Sequence, residues 1–243
     1  MAAIARFERQ ASSSNTTNPS CTILATMASR TRRNIWRSKR LIIRPVEPSD
    51  DAFLQSLTEE TTDDYQNSTP FVPVPQGAAG AKSFREFMEK CLVGCIICLP
   101  ASNTPEPEIA TPLSDSPPKK PVPTPIGTIS LMATEARLAH HRNTEIGVTI
   151  ATSYQGQGYG SEAVLWALEW AFRHANMHRV DIRAFGWNEG AWKLYERLGF
   201  VLEGRKREAM WYDGAYHDAV ELGMLRSEWQ ARYGEAKAGS QSA

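Results

Sequence analysis

The sequence predicts a single α/β domain of mixed α+β order, a sheet flanked by helices. Three observations point there. Short runs rich in β-branched residues, such as 41–45, 126–132 and 145–150, are interleaved with segments of helical period. A glycine-rich loop, Gln155-Gly156-Gln157-Gly158-Tyr159-Gly160, stands between a strand pattern and a helix pattern. The regular stretches, 41–98 and 126–229, together have the length of one domain.

Residues 1–34 are rich in Ser, Thr, Asn and Ala and lack apolar periodicity, which predicts a disordered tail. Their arginines faintly resemble a mitochondrial presequence, but a solvated tail is the favoured reading. The domain is expected over 35–232, with a disordered tail over 233–243. Leu41 to Pro45 reads as the first strand. Pro48-Ser49-Asp50-Asp51 reads as a helix start with Ser49 as cap, and Phe53, Leu54 and Leu57 as its apolar face. A second helix carries Phe84, Phe87, Met88 and Cys91 at helical spacing, and Leu92 to Leu99 reads as a buried strand.

Nine of the 26 residues from 100 to 125 are proline, a density that removes backbone donors and breaks both helix and sheet. This predicts a flexible insertion between two strands. An inert loop is favoured over a docking segment. Strands follow at 126–132 and 145–150. Beyond the glycine loop come a helix from Ser161 to about Ala175 and a strand at 180–185. A further helix is capped by Asn188 and closed by a left-handed Gly199. Strands then start at Phe200 and near Ala219, around a turn at Asp213-Gly214.

Composition excludes some functions. Lys+Arg and Asp+Glu both number 27, so the net charge is zero and nucleic acid is not expected as the partner. No apolar run approaches the ~20 residues that span a bilayer, so no membrane partner is expected. Cys91, Cys95 and Cys98 read as small buried hydrophobes on a helix end and a strand, not as metal ligands. A reducing, cytoplasmic setting is expected, with a mitochondrial one as the alternative.

The glycine loop carries the chemistry. Glycine allows positive φ and close backbone approach, and the first amides of the next helix lack intrahelical partners. With the helix dipole they form a phosphate or pyrophosphate site. A Walker loop would end in Gly-Lys-Ser/Thr, and this loop ends Gly160-Ser161. A dinucleotide fingerprint needs G-x-G-x-x-G, and here the glycines stand at 156, 158 and 160. The acetyltransferase form Gln/Arg-x-x-Gly-x-Gly/Ala fits as Gln155, Gly158 and Gly160. A purely structural turn is the competing reading.

The surrounding segments lower that competitor. Arg40 to Pro45, Glu145-Ile146-Gly147, Tyr154 to Ala163, His178-Arg179-Val180, Asn188, Leu194 to Phe200, Glu203-Gly204, Tyr216-His217-Asp218 and Glu228-Trp229 occur in order at fitting spacings. In these the chain resembles the GNAT superfamily, and within it the branch of ribosomal-protein N-terminal acetyltransferases. The long N-terminal stretch and the proline-rich insertion depart from that pattern.

The resemblance implies a central mixed, mostly antiparallel sheet splayed in a V after the fourth strand. Acetyl-CoA would be the cosubstrate, with no metal. Its pantetheine would lie along the backbone of Val148, Thr149 and Ile150, and its pyrophosphate on the amides of Gln155, Gly156, Gln157, Gly158, Tyr159, Gly160 and Ser161. Asn188 would contact it near the pantetheine. The acceptor would be a primary amine, on a protein N-terminus or a small molecule, and the protein a monomer or homodimer. Tyr195 sits where the family's proton donor often lies. Glu145 is the first candidate for the base and Asp181 the second. A non-catalytic CoA-binding module that recruits a partner through the insertion is the alternative from another class.

Overall fold

In the computed structural model of the chain, residues 34–59, 62–75, 77–101 and 122–234 are described, without the side chains of 62–64. The expectations for 1–33, for 102–121 and for 235–243 lie outside these residues. All elements below belong to one compact unit that begins at Ile35.

Seven strands form one sheet: β1 (Ile42–Pro45), β2 (Val93–Leu99), β3 (Thr124–Leu131), β4 (Asn143–Ile150), β5 (Arg179–Phe185), β6 (Val201–Tyr212) and β7 (Ala215–Leu225). Their spatial order is β1-β2-β3-β4-β5-β7-β6. Every pairing is antiparallel except β4 with β5, which is parallel. That one pairing is short. It runs only from Asn143↔Arg179 to Ile146↔Ile182, while β4 continues to Ile150 and β5 to Phe185. The two strands part beyond Ile146, so 147–150 are paired with β3 on one edge and leave the edge toward β5 open. The V-shaped sheet expected from the resemblance is present.

The helices are α1 (Asp51–Glu59), α2 (Thr62–Ser68), α3 (Ala78–Lys90), α4 (Tyr159–Glu169), α5 (Glu189–Arg197) and the short α6 (Arg226–Trp229). Alternation along the strands gives the sheet two apolar faces. Cys95 and Ile97 of β2 join the larger core with α4 and α5, around Val164, Leu168, Phe172, Tyr195 and Phe200. Ile96 and Cys98 face the other way, against Leu54, Leu57 and Met88 of α1 and α3. The cysteines of the strand are thus buried hydrophobes as expected, and burial pushes the Cys95 thiol up to about 11.

Several details differ from the sequence reading. Ser49 does not cap α1. It lies inside a 3₁₀ turn, Pro48–Asp50, that leads into the helix. Asp50 organises the turn instead: its carboxylate accepts from the Glu47 amide at 2.9 Å and from both Arg44 terminal nitrogens at 2.6 and 2.7 Å. Phe84 and Phe87 do not face the core. Ala81, Arg85 and Met88 do, and Arg85 ties α3 to Asp51 of α1 at 2.7 Å. β3 begins at Thr124, so Pro125 lies in a strand and not in the insertion. It sits where β2 and β3 shift register, a position that tolerates a missing donor. Tyr233 is not part of a tail: it lies in a helical turn over Gln230–Gly234 and its hydroxyl donates to the Leu198 carbonyl at 2.8 Å. α2 had no sequence signal, since TDDYQNS has no apolar period.

Candidate active site

The open end of β4 leads directly into the glycine loop. After Ile150 the chain makes a 3₁₀ turn, Thr152–Tyr154, and the Gln155 side chain donates back to the Ile150 carbonyl at 2.9 Å. Gly156 and Gly158 have φ of 71° and 82°, a region that costs any L-residue strain. Gly158 is the residue before α4 and no side chain caps that helix, so its first amides face outward. Gly160 is different. It has helical geometry, and a Cβ there would sit 3.7 Å from the nearest atom, an ordinary contact.

A brace holds the loop from outside. Glu162 of α4 accepts from the Ser38 hydroxyl at 2.7 Å, from the Arg40 amide at 2.6 Å and from Arg40 Nε at 2.7 Å. Arg40 Nη1 also donates to the Gln157 carbonyl at 3.0 Å, and its guanidinium lies over the Tyr159 ring at 4.5 Å. Burial pushes the Glu162 carboxyl up. The hydrogen bonds from Ser38 and Arg40 outweigh that and hold it below the usual value. Sequence reading saw Arg40 and Glu162 only as parts of matching segments. Their pairing across 122 residues had no local signal.

A cavity of about 480 Å³ opens along this edge. Val148, Thr149 and Ile150 form one wall, and Gln155, Gly156, Gly158, Tyr159, Gly160 and Ser161 form its loop end. Asn188, Tyr195 and Arg197 line it from the β5–α5 side. Asn188 caps α5 through its Oδ1, which accepts from the Ala191 amide at 3.1 Å. Tyr195 is buried with no hydrogen-bond partner for its hydroxyl among the described residues, and burial pushes the phenol up to about 12. It is therefore a neutral donor through the physiological range. Leu57, Asn67 and Ser68, from α1 and α2, complete the mouth.

Two of the expected site residues stand apart. Gln157 does not line the cavity; its side chain donates to the Ser153 carbonyl at 3.0 Å and its own carbonyl is taken by Arg40. Glu145 does not line it either. Its carboxylate is 2.7 Å from Arg183 Nε, on the polar sheet face where β4 and β5 are still paired. Its rival Asp181 is bound to Arg179 on the same face. The placement of both carboxylates gives the expectation of a base there no support.

A second cavity, of about 660 Å³, lies on the α1–α3 side of the sheet. The two cavities share Leu57, Ser68, Val148 and Thr149, so they meet at the open edge of β4. Among the described residues, no carboxylate or imidazole lines either one.

Comparison with known proteins agrees with this geometry. An acetyltransferase (GNAT) domain matches residues 40–201. YdaF of Bacillus subtilis, whose name proposes a ribosomal N-acetyltransferase, is 34% identical over 90 residues, 37% of this chain and 49% of that protein. A spermidine N(1)-acetyltransferase of Vibrio cholerae is 33% identical over 92 residues, 38% of this chain and 53% of that protein. The chain thus spans about half the length of the curated relatives it matches. The crystal structure of a Vibrio cholerae spermidine N-acetyltransferase with CoA and spermine superimposes with a TM-score of 0.62 at 20% identity, over 79% of this chain and 99% of that one. The match across residues 40–201, on a sheet parted beside a glycine loop, establishes that this chain belongs to the GNAT acetyltransferase family.

Proposed function

We propose that the protein transfers acetyl from acetyl-CoA directly to a primary amine. The observation that carries the reading is the junction of the two cavities at Val148 and Thr149, with Tyr195 in the lining of the first. The chain's residues fit the cofactor. The free edge of 148–150 can bond a pantetheine arm as an added strand, and the amides of 155–161 suit a pyrophosphate. Arg197 adds a guanidinium to the same lining.

In this reading the Val148 amide donates to the oxygen that gains charge as the amine attacks the thioester carbon. Tyr195 then gives its proton to the departing sulfur, and the proton lost by the amine nitrogen balances it through solvent. No side chain acts as a nucleophile. The test is a mass-spectrometric assay of acetyl-CoA against pooled amines and short peptides. An acetylated amine with stoichiometric CoA release is the expected result. Tight acetyl-CoA binding with no acetylated product from any amine would favour a non-catalytic CoA-binding module.

A further inference from the structure

We infer that Trp187 is a positioning residue that, through its hydrogen bond to Asn67, holds the end of α2 in the wall of the first cavity and so keeps water from the thioester. This deepens the acetyl-transfer reading and rests on it. The contact is specific. Trp187 Nε1 donates to Asn67 Oδ1 at 3.0 Å, joining α2 to the turn between β5 and α5 across 120 residues. Asn67 and its neighbour Ser68 line the first cavity, whereas Trp187 lines neither cavity. An indole N–H can only donate, so the bond fixes the orientation of the Asn67 amide as well as its place.

Trp187 is itself held. Its ring stacks on Phe185 of β5 at 4.6 Å and 3°, and on Tyr212 of β6 at 4.6 Å and 9°, with His217 of β7 edge-on at 5.4 Å. Three strands of the sheet thus aim one N–H, and little further freedom is lost when its bond forms. α2 needs such an anchor. Its sequence has no apolar period, and among its described side chains Tyr65 is the buried one. A helix this short is not stable by itself, so its contacts decide where it rests. The same cavity wall includes Val148 and Thr149, where the transfer reading puts the thioester. A lifted α2 admits water there. Water then attacks the thioester carbon in place of the amine. A C–O bond forms, the C–S bond breaks, and acetate and CoA leave, with one proton of the water on sulfur and the other in solvent.

The full chain is compared with Trp187→Phe, which keeps a ring in the stack and removes the donor. With acetyl-CoA and no amine, acetate formation above the protein-free rate is expected to rise by about fivefold or more. In the free protein, hydrogen exchange of the amides of 65–68, read by mass spectrometry, should quicken by about the same factor. Asn67→Ala should reproduce both changes. Asn67→Asp should restore most of the loss, because its carboxylate still accepts. The double variant of Trp187→Phe with Asn67→Ala should be no worse than either single change. Wild-type exchange and acetate formation in Trp187→Phe overturn the positioning role, and so do losses that add in the double variant. Faster exchange with unchanged acetate formation also overturns it, since the contact is then structural only. These readouts use no amine, so they judge Trp187 separately from the transfer reading, which fails if wild type acetylates none of the amines offered.

Discussion

Tyr195 is the residue on which the proposed chemistry depends most. It is an apolar-face residue of α5 by spacing and a lining residue of the first cavity by position. Removing the hydroxyl alone separates the two roles, because the ring keeps its place in the core beside Phe200, 6.1 Å away. Tyr195→Phe is expected to retain acetyl-CoA affinity and to lose about tenfold or more in kcat, roughly 1.4 kcal/mol of barrier. Stopped assays together with calorimetric titration check both halves, and unchanged kcat would remove Tyr195 from the reaction. Gly158 is the second single-residue test. Its φ of 82° would force a β-branched side chain into a strained region, and the Cβ would lie 3.3 Å from Arg40 Nη2. Gly158→Val should abolish measurable acetyl-CoA binding, read by titration. Wild-type affinity there would make the loop a mere turn.

At the scale of elements, the brace between the segment before β1 and α4 holds the loop in a fixed shape. Glu162 gathers three hydrogen bonds from Ser38 and Arg40, and Arg40 reaches on to Gln157. Glu162→Gln keeps shape and removes charge. A partly exposed ion pair is worth up to about 1 kcal/mol, so the expected cost is a several-fold rise in the acetyl-CoA Kd. The same brace should weaken as pH falls. Its carboxyl is held below the ordinary 4.5, so the stability it adds is present above that value and is lost as pH drops through the lower folded value. Comparing the Tm of wild type and Glu162→Gln across pH 3 to 7 checks this: the gap should be widest at pH 7 and close toward pH 3. A gap that does not change with pH would remove the charge from the account.

Whether an element was legible depended on its signal being local. Strands β3 to β5, helices α4 and α5 and the caps at Asn188 and Gly199 follow from period and capping residues close in sequence. The Asp213-Gly214 hairpin follows from two adjacent residues with positive φ, 44° and 77°. α2 and the Arg40–Glu162 brace could not be read in this way. The first lacks apolar period and the second joins residues 122 apart. Phe84 and Phe87 show a related limit: helical spacing reports that residues share a face, not which neighbour that face meets.

At the scale of the whole molecule, two helical layers enclose a sheet that is open at one place. The proline-rich insertion enters this frame between β2 and β3, whose ends pair at Leu99↔Thr124. Because these ends are already neighbours, shortening the connection costs the frame nothing. Replacing 102–121 by five Gly/Ser residues should change stability by only about 1 kcal/mol through loop closure, with acetylation unchanged. Thermal denaturation and the CoA release assay read the two outcomes. A loss of turnover without a loss of Tm would give the insertion a part in the reaction.

The amino-acid sequence alone determined the α/β class, most of the strand and helix order, the glycine-rich loop between a strand and a helix and the family likeness, because each is written in residues close together along the chain. Only the tertiary structure decided where β4 and β5 part, that Glu145 and Asp181 are bound to arginines and line neither cavity, and that two cavities meet at the open edge of β4. Those outcomes depend on which distant surfaces pack together, and packing is set by the shape and burial of the whole chain rather than by any local pattern.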